Sequence, residues 1–199
     1  MTIEPVTLCG SLVRLEPLTL GHLPALVCVG LEPELWRLQP THIRSAEDMK
    51  VYVEKALEEQ RQGASLPFVI VHLASKQVIG STRYMEIAPA HRRLEIGSTW
   101  LTSSHQRTGA NTETKLLLLT HAFETLSVIR VVLKTDALNQ QSRRAILRIG
   151  AVEEGTFRKH LIADSGRVRD MVYFSILDTE WPAVKAKLTA MLRSSGSLL

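Results

Sequence analysis

The sequence predicts one α+β domain built around a mixed β-sheet. Segments in which apolar and polar residues alternate are interleaved with segments whose apolar residues recur every three or four positions, in the order β-α-α-β-β-β-α-β-α-β-β-α. The strand-helix-strand run in the middle implies some parallel pairing, and the hairpins on either side imply antiparallel pairing. No repeat, linker or break in composition divides the 199 residues, so we predict a single domain, residues 1–199, with a core of about 7–193.

The first third of the chain predicts one strand and two helices. Residues 8–15 alternate between apolar and polar side chains, which is typical of a strand. Residues 18–30 have the apolar spacing of a helix. A second helix begins after Ser45, which is expected to form a capping box with Asp48, and it ends at Gly63.

Three strands and a helix are predicted next. Residues 66–73 and 77–88 predict a hairpin, and residues 92–102 predict a third strand of the same kind. A polar loop at residues 103–110 separates this strand from a helix that extends to about Leu126.

The last third predicts another strand, a short helix and a hairpin. Residues 128–138 are rich in β-branched side chains and predict the strand. The short helix follows, with Asn139 as its N-cap and Gly150 at its C-terminal end. Residues 155–177 predict the hairpin, whose strands join at residues 164–166.

The chain ends in a predicted helix over residues 179–192. Thr179 is expected to cap this helix, and Pro182 lies in its first turn, where proline is tolerated. Residues 194–199 are predicted to be a disordered tail.

The composition is that of an ordinary globular protein, with 45% hydrophobic and 22% charged residues. The net charge of +4 is scattered, and no basic stripe interleaved with aromatic residues indicates nucleic-acid binding.

The apolar runs fall short of the roughly 18–20 residues of a membrane helix, and no signal peptide is evident. The seven histidines lack metal-ligand spacing, so no metal is expected. Cys9 and Cys28 predict buried, reduced thiols in a cytoplasmic protein.

The polar loop before the mid-chain helix predicts an anion site. The first amides of a helix lack intrahelical partners and carry positive potential. Gly109 lets the backbone approach a ligand closely, and Arg107, Thr108 and Thr112 add donors, a set that suits a diphosphate. The alternative is a plain connecting loop with a Thr or Asn cap. The three-glycine dinucleotide fingerprint and the Walker motif are both absent.

Four segments in order carry a resemblance to a known family. They are residues 94–101 (LEIGSTWL), residues 106–111 (QRTGAN), residues 139–146 (NQQSRRAI, followed by Gly150 and Ala151), and the hairpin at 155–177. Over residues 7–180 the chain resembles the Gcn5-related N-acetyltransferase (GNAT) superfamily, in the branch of the ribosomal-protein N-terminal (alanine/serine) acetyltransferases. The resemblance implies a mixed, mostly antiparallel sheet of about seven strands flanked by helices, with a splayed strand pair forming the cofactor cleft.

The resemblance also implies acetyl-CoA as co-substrate, with no metal. Main-chain groups of Trp100, Leu101 and Thr102 are expected to bind the pantetheine arm. The pyrophosphate would lie against the loop and the helix start, formed by Gln106, Arg107, Thr108, Gly109, Ala110, Asn111 and Thr112. Asn111 departs from the family, which usually has Gly or Ala at this position, and Asn can itself cap a helix.

The implied reaction is direct transfer of an acetyl group to an amine. Asn139 and Ser142 share a helix face that the family places against the cofactor. Ser142 would protonate the leaving sulfur; the alternatives are a solvent-facing serine and, for Asn139, a simple N-cap. Glu95 faces away from its apolar strand neighbours and could act through water as the base, or it could be a solvated residue.

Three residues are candidates for the part of the site that receives the amine acceptor. Glu86 is a second candidate base, His160 lies where related enzymes place acceptor groups, and Trp36 is either a pocket wall or a core residue. An α-amino group, with a pKa of about 7.7–8.0, is more often neutral at pH 7 than a lysine, so the absence of an obvious base leans toward an α-amine acceptor.

The expected partners are acetyl-CoA and an amine acceptor, either a protein N-terminus or a small molecule. A homodimer is possible, and the expected location is the cytoplasm. The alternative function is a non-catalytic CoA-binding or regulatory domain on the same scaffold.

Overall fold

Residues 3–194 are described by a computed structural model of the chain. The predicted disordered tail therefore lies outside the described residues, apart from Ser194, which ends the last helix. The strands are β1 (Leu8–Cys9), β2 (Val13–Pro17), β3 (Leu66–His72), β4 (Gln77–Ala88), β5 (Arg93–Leu101), β6 (Arg130–Asp136), β7 (Val152–Ile162) and β8 (Val168–Leu177). The helices are α1 (Leu23–Gly30), α2 (Pro33–Trp36), α3 (Ala46–Arg61), α4 (Gly109–Thr120), α5 (Gln140–Arg148) and α6 (Trp181–Ser194).

All eight strands join one sheet in the order β1-β2-β3-β4-β5-β6-β8-β7. Every neighbouring pair is antiparallel except β5 and β6, which are parallel. The mixed, mostly antiparallel α+β class is confirmed. The single strand predicted at residues 8–15 is wrong, because the chain turns between β1 and β2 and the sheet gains a strand.

Two apolar clusters cover the two faces of the sheet. β3 alternates between them: Phe68 packs in the cluster with α4, α5 and α6, whereas Val69 packs in the cluster with α1, α2 and α3. Since successive strand residues point to opposite faces, each cluster is the core of one face. We call these the α4 face and the α1 face.

The helix ends largely follow their local signals. The capping box of α3 is present, with Ser45 N donating to Asp48 Oδ2 at 2.9 Å and Asp48 N donating to Ser45 Oγ at 3.1 Å. Gly150 follows α5 in the left-handed conformation (φ +103°), as a glycine after a helix is expected to do. The predicted Thr179 cap is wrong, because α6 begins at Trp181 and Glu180 precedes it.

The thiols differ from the prediction. Cys9 and Cys28 are both free, but both are exposed rather than buried. Their apolar neighbours Leu8, Val27 and Val29 pack against the core clusters, whereas the two thiols face outward. Within residues 3–194, no helix combines the length and apolar character needed to cross a membrane.

The parallel strands β5 and β6 separate after a short ladder. Their register runs from Arg93 opposite Arg130 to Glu95 opposite Val132 and then stops. β5 continues beside β4 to Leu101, and β6 continues beside β8 to Asp136. The β4–β5 register shifts in the same region, where Ser98 has a positive φ of 46°. The result is a wedge between the carboxyl halves of β5 and β6, as the resemblance implies.

A buried carboxylate fastens the N-terminal hairpin to α4. Glu113 accepts hydrogen bonds from the amides of Ser11, Leu12 and Val13 at 2.7–2.8 Å, and from the Ser11 hydroxyl at 2.7 Å. A Cβ on Gly10 would lie 2.4 Å from the Glu113 carboxyl carbon, so the close approach requires glycine there. This contact fixes α4 at the edge of the wedge.

Candidate active site

The wedge opens into a cleft of about 750 Å³. Its walls come from β5, β6, α4, α5, the loop before α4 and the segment from α2 to Pro40. The predicted site residues that line it are Glu95, Trp100, Leu101, Gln106, Arg107, Thr108, Asn111, Asn139 and Ser142.

The start of α4 presents amides that the protein leaves unused. Thr108 caps the helix: its Oγ1 accepts from Ala110 N at 3.2 Å and donates to the His105 carbonyl at 2.8 Å. Among residues 3–194, the amides of Thr108, Gly109 and Asn111 have no acceptor. A helix cap and an anion site are therefore compatible here, because Thr108 caps one amide and the neighbouring amides remain available.

Gln106 closes one end of the wedge with its side chain. Its Nε2 donates to the Leu101 carbonyl at 3.0 Å, and its Oε1 accepts from Gln141 Nε2 at 3.0 Å. The side chain thus links β5 to α5 across the cleft. Arg107 stays exposed beside it with a left-handed backbone (φ +61°).

Two predicted cofactor residues of α5 occupy the opposite wall. Asn139 is the N-cap, because its Oδ1 accepts from Ser142 N at 3.0 Å, and it also lines the cleft. Ser142 is half-buried in the first turn, and its hydroxyl has no partner among the described residues. Its side chain is free to serve a ligand.

Glu95 is the buried acid of the wedge. It ends the β5–β6 ladder, projects to the α1 face and is only 2% exposed, so the reading of a solvated residue is wrong. Burial raises the pKa of its carboxyl to about 7, although Lys134 opposes that shift. A Cβ on Gly97 would lie 2.5 Å from Glu95 Oε1, so glycine leaves room for the carboxyl group.

Sequence reasoning missed several charged residues of the cleft, among them Lys134, Lys115 and Arg169. Lys134 Nζ lies 2.8 Å from Glu95 Oε2. Lys115 is buried on α4 and donates to Thr99 Oγ1 at 2.8 Å, and burial lowers its pKa to about 7. Arg169 lines the cleft as well. The signal that could have found them is a lone charge inside an apolar run, as at Lys115 before four leucines.

The predicted acceptor residues lie outside the cleft lining. Trp36 is a core residue: its Nε1 donates to the Gly30 carbonyl at 2.7 Å, and its ring lies 5.4 Å from that of Trp100. Glu86 is exposed and bonds Lys134. His160 is exposed on β7, with Nε2 2.8 Å from the Tyr173 hydroxyl.

Four predicted cofactor residues also fall outside the lining. Thr102 is turned inward, since its N–H donates to the Ile79 carbonyl and its own carbonyl accepts from His105 N. The pantetheine contact expected of its main chain is therefore already taken. Thr112 is buried and accepts from Arg148 Nη2 at 3.1 Å. Ala110 packs in the core of the α4 face, and Gly109 has no side chain to place in the cleft.

The fold is a mixed sheet whose parallel pair splays open beside amides of a helix start that the protein leaves unused. A family model described as Acetyltransferase (GNAT) domain matches residues 13–152. The chain belongs to that family, as its sequence motifs predict.

Several known proteins are similar to this chain. A GCN5-related N-acetyltransferase from Brucella melitensis is 32% identical, with a TM-score of 0.88, over 96% of this chain and 86% of that one. The ribosomal-protein-serine acetyltransferase of Escherichia coli (strain K12) is 26% identical over 71% of this chain and 77% of its own length. YdaF of Bacillus subtilis (strain 168), provisionally named a ribosomal N-acetyltransferase, is 37% identical over 48% of this chain. That match spans about half (51%) of YdaF.

Proposed function

We propose that this protein transfers the acetyl group of acetyl-CoA directly to a primary amine. The observation that carries the proposal is the wedge itself. It brings a buried carboxyl group, Glu95, into the same cleft as the free hydroxyl of Ser142 and the available amides at the start of α4.

The residues present fit coenzyme A. The amides of Gly109 and Asn111 offer donors for the diphosphate, and the guanidinium groups of Arg107, Arg144 and Arg148 line the same cleft. Past Glu95, the edge of β5 that faces β6 leaves the ladder and offers main-chain groups to the amides of a pantetheine arm.

Glu95 and Ser142 supply the proton transfers. The acceptor amine must lose a proton as it attacks the thioester carbon, and Glu95 is proposed to take that proton. Ser142 is proposed to donate a proton to the departing sulfur. A base with a pKa near 7 is well matched to catalysis at neutral pH, because it is partly ionised and still basic.

A protein N-terminal α-amine is the proposed acceptor. Two relatives carry names that refer to ribosomal proteins. An α-amino group needs less help from a base than a lysine does, since its pKa is about 7.7–8.0 rather than about 10.4. Acetyl-CoA and ribosomal acceptors both occur in the cytoplasm, so this proposal includes that location. The homodimer stays a prediction.

Thiol release from acetyl-CoA over a panel of amines tests the activity. We expect turnover by the wild-type protein and a loss of about 10²-fold or more in kcat for Ser142→Ala, the size typical of a lost acid. Ser165→Ala, in the exposed hairpin turn, is the matched control. Binding of coenzyme A without turnover on any amine would favour the non-catalytic domain instead.

Pairs of peptides test whether the acceptor is an α-amine or a lysine side chain. One peptide of each pair has a free N-terminus and no lysine, and the other has a blocked N-terminus and one lysine. Mass spectrometry is expected to find acetylation on the first peptide only. Acetylation confined to the lysine peptide would contradict the α-amine assignment.

A further inference from the structure

Lys134 lies just past the point where β5 and β6 separate. It lies on β6 two residues past Val132, where the ladder to β5 ends. It alternates with Leu133, which packs on the α4 face, so its side chain projects to the α1 face with Glu95. The side chain therefore spans the gap between the separated strands.

The ammonium group of Lys134 joins two carboxylates. Its Nζ lies 2.8 Å from Glu95 Oε2 and 2.5 Å from Glu86 Oε1. The Glu95 side chain is 3% exposed, and that of Glu86 is 47% exposed. The three side chains form a continuous line from the interior of the wedge to the surface.

These contacts have opposite effects on Glu95. A carboxyl group removed from water prefers its neutral form, in which it cannot accept a proton. Lys134 favours the ionised form of Glu95, whereas the negative charge of Glu86 opposes it. Glu86 also shares the ammonium of Lys134, so it limits how much charge Lys134 can offer to Glu95.

We propose that Lys134 is a positioning residue that holds the Glu95 carboxylate ionised and directed into the wedge, and that Glu86 limits this effect. The inference rests on the proposed role of Glu95 in catalysis. It adds a residue pair that sets the pH range over which that role is possible.

Several other charged groups in or near the cleft have partners of their own. On α4, the Lys115 ammonium donates to Thr99 Oγ1 at 2.8 Å. On β8, the Tyr173 ring lies 5.8 Å from Lys134 Nζ, and its hydroxyl is bonded to His160. On α2 and after it, Glu34 and Arg37 line the cleft, and they pair with each other at 2.8 Å. Arg169 is paired with a buried aspartate of β6 at 2.6 Å. None of these contacts Glu95 as Lys134 does.

The test compares Lys134→Met, Lys134→Arg and Glu86→Gln by direct titration of Glu95. Protein labelled with ¹³C in the glutamate carboxyl groups is titrated by NMR, and Glu95→Gln assigns the resonance. We expect Lys134→Met to raise the Glu95 midpoint by about 1–3 pH units, the size of one close opposite charge. Glu86→Gln is expected to lower it by a smaller amount, and Lys134→Arg to keep it near the wild-type value.

The pH profile of kcat/KM is the second readout. Its acidic limb is expected to move with the titration midpoint, upward for Lys134→Met and downward for Glu86→Gln. A residue with a merely structural role would lower activity without these opposite shifts. If Lys134→Met does not fold, Lys134→Arg and Glu86→Gln still decide the matter.

Unmoved midpoints, or shifts of the same sign in Lys134→Met and Glu86→Gln, would overturn the inference. Its failure can be told apart from failure of the proposed function. A wild-type protein with no acetyl transfer refutes the function, whereas the NMR titration reports on Lys134 without any turnover.

Discussion

At the scale of single residues, the burial that suits Glu95 to its proposed role as a base also lowers the stability of the folded protein. Burial raises its pKa from 4.5 to about 7. Between these values the folded protein binds more protons than the unfolded chain, so the free energy of unfolding falls as the pH rises through this window. Such a destabilised group at the centre of a cleft is typical of a catalytic base.

Glu95→Gln should therefore lower activity and raise stability. We expect kcat/KM to fall by about 10²–10⁴-fold at pH 7.5. At pH 8 we expect a gain in the free energy of unfolding of about 3 kcal/mol, because 2–3 pKa units correspond to that size, and little gain at pH 4.5. Denaturant unfolding at both pH values measures it. A stability difference that is the same at both values would show that burial of the charge is not the cause.

Lys115 has the opposite pH dependence. Burial lowers its pKa from 10.5 to about 7, so between these values the unfolded chain binds more protons than the folded protein. This lysine therefore makes the free energy of unfolding rise with pH across that window. Lys115→Met should remove the rise and stabilise the protein at pH 7.

Urea unfolding at pH 7 and pH 9.5 measures the effect of Lys115→Met. Lys55→Met, at an exposed position on α3, is the matched control and should keep the wild-type pH dependence. A rise with pH that persists in Lys115→Met would contradict the assignment.

At the scale of elements, the wedge depends on how α4 is held. The Glu113 carboxylate receives three amides and a hydroxyl from the turn between β1 and β2. Hydrogen bonds to a charged group are worth about 1.5–3 kcal/mol each, and a buried amide left without a partner costs about 1–3 kcal/mol. The contact joins the edge hairpin to the helix whose first amides face the cleft.

Glu113→Gln is expected to destabilise the protein by about 2–4 kcal/mol, because an amide group replaces one acceptor oxygen with a donor. Thermal unfolding measures the loss, and coenzyme A affinity should weaken with it as the α4 start becomes less ordered. Glu47→Gln, exposed on α3, is the control and should behave like the wild type. Equal melting temperatures for the two variants would refute the role of Glu113.

Local signals predicted many elements and failed where distant contacts decide. β4 and the capping box of α3 lie where the residue pattern predicts them. The turn between β1 and β2 was not predicted, because the residue that holds it, Glu113, lies about 100 positions away. The exposed cysteines and the short helix α2 likewise depend on tertiary position rather than on local pattern.

The candidate site was likewise predicted only in part. The family resemblance predicted that the residues around Gly109 and Asn139 face the same cofactor, and residues of both segments line the cleft. Lys134 and Arg169 were missed, because a charged residue in a strand is ordinarily read as facing solvent. The predicted acceptor residues Trp36 and His160 do not line the cleft, since no local pattern shows which segments fold over it.

At the scale of the whole molecule, one topological feature generates the site. The single parallel pair is the place where the sheet changes from one antiparallel half to the other, and the ladder there stops after Glu95. Ligands commonly bind where the strand arrangement leaves such a crevice at the carboxyl ends of strands. The helices α4 and α5 then bring their N-terminal ends to the same opening.

A crystal structure of the protein grown with coenzyme A tests this account most directly. We predict that the diphosphate lies within hydrogen-bond distance of the Gly109 and Asn111 amides, with the pantetheine arm between β5 and β6 and its sulfur directed toward Ser142. Coenzyme A bound elsewhere on the protein, or a β5–β6 wedge that closes with those amides bonded to protein carbonyls, would contradict it.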